Sequence, residues 1–580
     1  MSDPLPDATP TSPDSNWRSC LSREALLLVA LVTLARILYI AFFCPYNLVE
    51  DEAQYWVWSL RPDWSYYSKG PGIAWSIWAS THLFGISEWG VRAFAPLYAA
   101  ISALAIAGLS ADAFRDRRAS VAGAAIFFLI PAFVISGTFL MTIDGPMIAL
   151  WAIACWAGFR AFYRASRSAW LALGLALGIG FLFKYTIALL IPSLLIAWVL
   201  DRKRRNTTTP LRPRIAIVLA CIALGLLPIA IWNYQNGWPA IAHFLGHAKL
   251  PGGDRPAGVE VSRYTPKWTF EFLGTQLAAI GPALLLMWLG YRVARSHRLP
   301  AAAHTSLPCV PDEPFAFSPA TYLASAGLPT LIFYFCATFL TSVEANWPIG
   351  GFVSLIPFAA IAVVHGMNDW RARMARWRAI PRAQRPREGF LLRRPETASQ
   401  VCWHLTLACG IVVSLLILRL DLIAKFPEVA RRVALHRLMG APQFARAIQA
   451  LAMKETIPAL GRPLLISYHY GVAAQLTFYL PDHPMVFVAG SHLGYRRTQW
   501  DLWPDMSLEN PALLGRNALL IGAGESQWKP AFRTLAEIGH LPEDLRRDRW
   551  VYFGEGFRGF GSSTSTRAPQ TATPTQRSGT

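Results

Sequence analysis

Long apolar runs recur along most of this chain, and nothing else in it restricts the fold as strongly. The first extends from Ala25 to Phe43, and others sit near 89–110, 119–136, 143–163, 169–184, 185–200, 213–232, 270–291, 318–340, 346–366 and 401–419. A helix needs about 20 mainly apolar residues to cross a bilayer core, so most of these runs read as spans, about eleven in all. Only 15% of the 580 residues are charged and 53% are hydrophobic, where soluble domains carry about 25% charged residues. That balance excludes a soluble enzyme, a coiled coil and a disordered chain. The Ala25 run is too long for a signal-peptide core and has no small-residue cleavage site, so it reads as an uncleaved anchor.

The net charge of +19 is explained by position. Arg and Lys fall in alternate connections: 115–118, Arg160/Arg164/Arg167, 202–205, Arg292/Arg295/Arg298 and 371–394. Roughly 24 cations lie on that side against roughly 7 on the other, the signature of cytoplasmic loops. The loops 44–88, 137–143, 233–268 and 341–347, with everything after 420, are therefore expected outside. No nucleic-acid motif accompanies the charge. The eight cysteines contain no CxxC pair and none follows Cys409, so neither a zinc ribbon nor a disulfide framework is indicated after it.

Residues 1–20 and 561–580 read as disordered tails, and 21–420 as the membrane domain. The stretch 421–560 alternates a helical segment (426–452) with short apolar strands at 463–467, 484–489 and 517–522. It reads as a small external α/β domain. No internal repeat is visible.

The external loops hold the chemistry. Glu50-Asp51-Glu52 is followed by Tyr55, Trp56 and Trp58. Successive helical residues point about 100° apart, so one or two of the acids can face a common site. The plain alternative is an acidic helix cap. The aromatics after it read as an interfacial helix in the headgroup layer. Lys69, in Tyr66-Tyr67-Ser68-Lys69-Gly70-Pro71-Gly72, can bind phosphate or merely snorkel. Arg92, inside the second span, needs a partner. Asp144 before Gly-Pro either caps a helix or also serves a site. Lys184-Tyr185 interrupts an apolar stretch, and Glu344-Ala345-Asn346-Trp347-Pro348 forms a short external hairpin. His243 and His247 have zinc-like spacing but no accompanying HExxH glutamate. Gly174 and Gly178 read as a helix-packing pair.

These landmarks carry a resemblance. Asp51-Glu52-Ala53-x-Tyr55-Trp56, Tyr67-x-Lys69-x-Pro71, Phe84-Gly85 with Arg92, Thr142-Ile143-Asp144-x-Pro146, Lys184-Tyr185, Trp232-Asn233, Gly274-x-Gln276, Asn346-Trp347-Pro348, Phe478-Tyr479-Leu480-Pro481 and Gln499-Trp500-Asp501-Leu502-Trp503 occur in order over most of 30–510. The chain resembles the GT-C membrane glycosyltransferases of the protein O-mannosyltransferase and aminoarabinose-transferase type. It departs from them at Ser68-Lys69-Gly70-Pro71-Gly72, where bacterial members have His-Pro-Pro-like or Glu-Lys-Pro sequences.

The resemblance implies a polytopic helical protein of a bacterial inner membrane with a periplasmic carboxy-terminal α/β domain. Its donor would be a sugar on a polyprenyl phosphate, and its acceptor a lipid, glycan or protein. No cofactor and no metal are implied. Asp51 would be the general base, with Glu52 and Asp144 as further catalytic candidates. Lys69, Arg92, Lys184 and Tyr67 would hold the lipid phosphate, and Tyr55, Asn346, Trp347 and Glu344 would line the acceptor pocket. A single displacement would invert the anomeric centre. The alternatives are a transporter or flippase, which leaves the external domain unexplained and lacks an inverted repeat, and a non-catalytic envelope scaffold.

Overall fold

The computed structural model describes residues 21–163, 166–200, 211–247, 250–255, 264–296, 319–380, 398–426, 435–456, 461–540 and 550–560. Both tails, the Arg run 202–205, Arg164, Arg298, most of the Arg-dense stretch before 394, and Cys20 and Cys309 lie outside them. The chain divides into two units. One comprises Met1–Tyr46, Trp58–Gly253 and Val261–Leu435; the other comprises Asn47–Val57, Asp254–Glu260 and His436–Thr580.

The first unit is helical. Among the described residues seven helices are long and apolar enough to cross a membrane, and nine if each of two bent pairs is one span. Arg167–Phe183 and Tyr185–Leu200 are shorter apolar helices. Two runs expected to be continuous are broken instead. Arg117–Leu129 and Pro131–Thr138 meet at 77°, and Pro266–Ile280 and Ala283–Arg295 meet at 82°. Pro131 cannot donate an amide hydrogen and pushes Ile130 into extended backbone (ψ 122). Gly281 adopts φ +64 before Pro282, a conformation that glycine reaches without a Cβ penalty. At the first break Arg36, buried in the first span, donates to the Gly137 carbonyl at 3.1 Å and lies over the Phe128 ring. The cation thus sits at the carboxy-terminal end of Pro131–Thr138, where helix carbonyls favour positive charge.

Gly178 packs the Arg167–Phe183 helix onto Arg212–Gln235 so closely that an added Cβ would fall 2.2 Å from the Cys221 carbonyl oxygen. This is the packing role expected of the glycine pair. Deeper in the unit, Asp112 accepts from Arg160 Nε at 2.5 Å and Trp156 Nε1 at 2.8 Å. The ion pair joins the helices Ala95–Phe114 and Asp144–Tyr163 with both charges buried.

In the second unit a five-stranded sheet runs β2 (Phe487–Val488), β1 (Leu464–Ser467), β3 (Ala518–Ile521), β5 (Trp550–Phe557), β4 (Phe532–His540). The first three strands are parallel, with Ile466 opposite both Phe487 and Leu520. β5 pairs antiparallel with β3 and β4. Trp528, Phe532 and Phe557 fill the core beneath it. The expected 426–452 helix is shorter: within the described residues it is Ala441–Lys454, entered at Gly440 with φ +93.

Candidate active site

The site elements of the membrane unit begin with a tightly turned loop. The Tyr66 ring stacks on Trp58, centroids 4.6 Å apart. Its hydroxyl donates towards the Trp58 and Arg61 carbonyls and accepts the Asp63 amide. Burial pushes this hydroxyl well above its ordinary pKa, so it remains a donor. The Lys69 carbonyl accepts from the Tyr66 amide at 3.0 Å and Ser65 Oγ at 3.1 Å. Lys69 is half-buried. Gly70 follows because nothing larger fits: a Cβ there would sit 2.4 Å from the Leu182 carbonyl oxygen. The glycines that depart from the familiar motif therefore seat this loop against the end of Arg167–Phe183, two residues before Lys184.

Lys184 ends that helix in extended backbone, and its Nζ lies 2.6 Å from Asp144 Oδ1. Asp144 Oδ2 accepts from Asn346 Nδ2 at 2.8 Å. Asp144 is the first residue of its helix, yet its carboxylate oxygens go to these two side chains, the cap role being replaced by a tertiary one. The Asn346 hairpin is held by Gln276, whose Nε2 donates to the Ala345 carbonyl at 3.1 Å. Glu344 is exposed and its carbonyl accepts the Trp347 amide.

A file of rings joins the loop to the hairpin. Tyr67 meets His243 at 5.8 Å, His243 meets His247 at 4.5 Å, His247 meets Trp347 at 5.9 Å, and Trp347 meets Tyr334 at 6.2 Å. The two histidine Nε2 atoms are 3.2 Å apart, a contact in which one nitrogen carries a proton and the other accepts it. Among the described residues no group of three His, Cys, Asp or Glu could hold a metal ion. The spacing of the two histidines suggests only a metal pair, and no motif in the sequence marks Tyr334. Their periodicity gave no sign of the ring file. Arg92 is buried and donates to the Tyr46 carbonyl at 2.8 Å, with Cys44 Sγ at 3.7 Å.

The acidic helix, Glu50–Ser59, carries its motif in the second unit. Asp51 is exposed, whereas Glu52 is fully buried with Oε2 accepting the Val49 amide at 3.1 Å. The expected interfacial aromatic face is not found. Tyr55 and Trp56 are buried, because Trp56 packs edge-on against Phe478 at 4.9 Å. Trp58, in the membrane unit, is buried under Tyr66. Near Asp51 stands Tyr470, which burial and the Asp51 charge together push up to about 12. Arg496 lies over the Tyr470 and Tyr495 rings. Burial disfavours its charge, but Tyr470, Tyr495 and Asp254 outweigh that and raise its pKa.

Residues 68–232 match the dolichyl-phosphate-mannose-protein mannosyltransferase family. A crystal structure of ArnT from Cupriavidus metallidurans in the apo state superimposes with a TM-score of 0.55 at 14% identity, covering 91% of this chain and 97% of that one. The chain has the ArnT fold. The same enzyme bound to undecaprenyl phosphate superimposes with a TM-score of 0.53 at 15% identity, covering 94% and 99%. The lipid A galacturonosyltransferase RgtD of Rhizobium johnstonii is 31% identical over 47% of this chain and 55% of its own length. The undecaprenyl phosphate-alpha-4-amino-4-deoxy-L-arabinose arabinosyl transferase of an Enterobacter species is 29% identical over 30% of this chain and 33% of its own. The chain thus spans about half the length, or less, of these curated relatives. The recognised fold class is that of a GT-C, ArnT-like polytopic helical membrane protein with a small carboxy-terminal sheet unit.

Proposed function

We propose that this chain transfers a sugar from a polyprenyl phosphate to a glycolipid of the lipid A class, at the periplasmic face of a bacterial inner membrane. The named activities of the relatives and the ArnT fold support the donor and acceptor classes. The observation that carries the reading is the distribution of the acids. Asp144 is buried and its oxygens are engaged by Lys184 and Asn346, whereas Asp51 is exposed on a helix whose neighbouring acid, Glu52, is turned inward.

A general base must be reachable by the acceptor hydroxyl, and within the acidic motif Asp51 is the exposed acid. On that ground Asp51 takes the acceptor hydroxyl proton as the oxygen attacks the anomeric carbon, and the phosphate departs with the C–O electron pair. A single displacement inverts the centre. Lys69, in the loop seated beside the Lys184 turn, meets the charge that develops on the leaving phosphate. Asp144 holds Lys184 and Asn346 in place; Arg92 ties down the Tyr46 carbonyl. Tyr67, Trp347 and the rings between them form a wall suited to a sugar face, with Asn346 and Glu344 at its edge; Tyr55 is a buried residue of the acidic helix itself. With Lys69 meeting the phosphate charge, the reaction as written uses neither a cofactor nor a metal.

The test is mass spectrometry of extracted lipids from cells expressing the wild type, Asp51→Asn or Asp144→Asn, each confirmed in the membrane. A gene-dependent sugar increment on a glycolipid, lost in Asp51→Asn, is expected. An undiminished product in Asp51→Asn would remove it as the base, and an increment on protein alone would overturn the acceptor class.

A further inference from the structure

We infer that the Tyr470–Tyr479 helix is the positioning element of the acidic helix, with Gln475 and Tyr479 as its positioning residues. The geometry stands on contacts within one unit; the catalytic consequence rests on the sugar-transfer reading above.

Leu48 lies two residues before the acidic helix. Its amide donates to the Tyr479 hydroxyl at 2.7 Å, and its carbonyl accepts from Gln475 Nε2 at 2.7 Å. Leu48 and Gln475 are both buried. Buried backbone groups require partners, and here both polar groups of one residue are satisfied by side chains of a single distant helix. Such a pair fixes the direction of the peptide and hence the entry angle of the helix that follows.

Two further contacts extend the clamp. Glu50 approaches the start of Tyr470–Tyr479 so closely that a Cβ on Gly471 would meet its Oε2 at 2.7 Å. Its Oε2 is 3.7 Å from His469 Nδ1. That nitrogen also accepts the Gly471 amide at 3.2 Å, which puts Glu50 at the amino terminus of the Tyr470–Tyr479 helix, where negative charge is favoured. At the other end Trp56 meets Phe478 and, at 5.2 Å, His483. His483 and Asp482 hold left-handed backbone (φ 46 and 62) between two prolines, which presents the imidazole to the indole. Residues 48, 50 and 56 are thus each held, and Asp51 lies between them.

A displacement of about 1 Å at a reacting group costs on the order of 100-fold in rate. Tyr479→Phe should therefore lower kcat about 10-fold and Gln475→Leu about 10- to 100-fold, with donor KM within about twofold of wild type. Gln475→Glu supplies a pH readout. A buried carboxyl donates to the Leu48 carbonyl only when protonated, so this variant should regain activity as pH falls, while Gln475→Leu does not.

The experiment combines steady-state transfer with hydrogen–deuterium exchange of peptide 47–57 in full-length protein, each variant first shown monodisperse. Faster exchange together with a kcat loss at constant KM is expected. Unchanged exchange overturns the inference, as does wild-type kcat despite faster exchange, or a Gln475→Glu profile matching Gln475→Leu at every pH. A wild type with no transfer, but with exchange that responds to both variants, overturns the sugar-transfer reading and leaves the positioning geometry standing.

Discussion

Replacing Lys184 by Met keeps much of the side chain's length and removes only its charge. In the structure this leaves Asp144, whose side chain is 10% exposed, as a carboxylate supported, among the described residues, by Asn346. Removing one partner of a buried pair costs about 3–5 kcal/mol, since the remaining charge keeps its desolvation penalty and loses its counter-ion. Asp144→Asn strands Lys184 in the same way and should cost a similar amount. At roughly 2 °C per kcal/mol for a large domain, each single change lowers the apparent melting midpoint by about 6–10 °C. The double change Lys184→Met with Asp144→Asn removes both charges. Because two desolvation penalties vanish with the pair, it should lie within about 1–2 kcal/mol of wild type, where additivity demands a loss of about 6–10 kcal/mol. The assay is thermal unfolding of detergent-purified protein for all four members of the cycle. A double variant as unstable as the sum of the singles would refute the pair as a coupled unit. Activity need not recover with stability, because the restored variant still lacks the cation.

Gly70→Ala places a methyl group 2.4 Å from the Leu182 carbonyl oxygen; a cost of about 1–3 kcal/mol is expected from overpacking. Gly72→Ala, at 3.0 Å, should be milder, and an equal effect on melting would contradict this order. Asp112→Ala removes the carboxylate that Arg160 and Trp156 share, and should lower the melting midpoint more than either glycine change. Tyr470 has its pKa raised in the folded protein, to about 12 from an ordinary value near 10. Its neutral form is favoured by folding, so its contribution is full below pH 10 and is lost as pH rises through about 12. Tyr470→Phe should flatten that alkaline loss, read by unfolding of the full chain across pH 9–12.5; an unchanged slope would exclude Tyr470 as its source.

The membrane helices were legible because a bilayer forces each span to satisfy its own backbone, which leaves a long apolar run in the sequence. The two bends were less so. Ile130-Pro131 and Gly281-Pro282 are breaking signals, but the hydropathy continues through both. The parallel strands β1 and β3 appeared as short apolar runs between polar turns. The β4–β5 hairpin escaped, although Val551, Phe553 and Phe557 have strand character, because glycines and charges interrupt the alternation. Within the site, Asp144, Lys184 and Asn346 could be nominated singly, as polar residues at the ends of apolar runs. Their mutual contact joins residues 40 and 202 positions apart and has no local signature. The choice between Asp51 and Glu52 was open for a similar reason: helical spacing says they diverge, and only the Val49 amide contact shows which one turns inward.

The clamp on Leu48 closes over 427 residues of chain, and this sets a schedule for the protein's maturation. At about 5–20 residues per second, roughly 20–90 s of synthesis separate the acidic helix from the helix that holds it. During that interval the membrane helices can pack while the motif still lacks Gln475 and Tyr479. On the sugar-transfer reading, a half-made chain would bear a donor-facing domain with an unoriented base, and a chain stopped before residue 470 would be a folded but idle intermediate. On that reading, transfer would begin only once the last unit is complete.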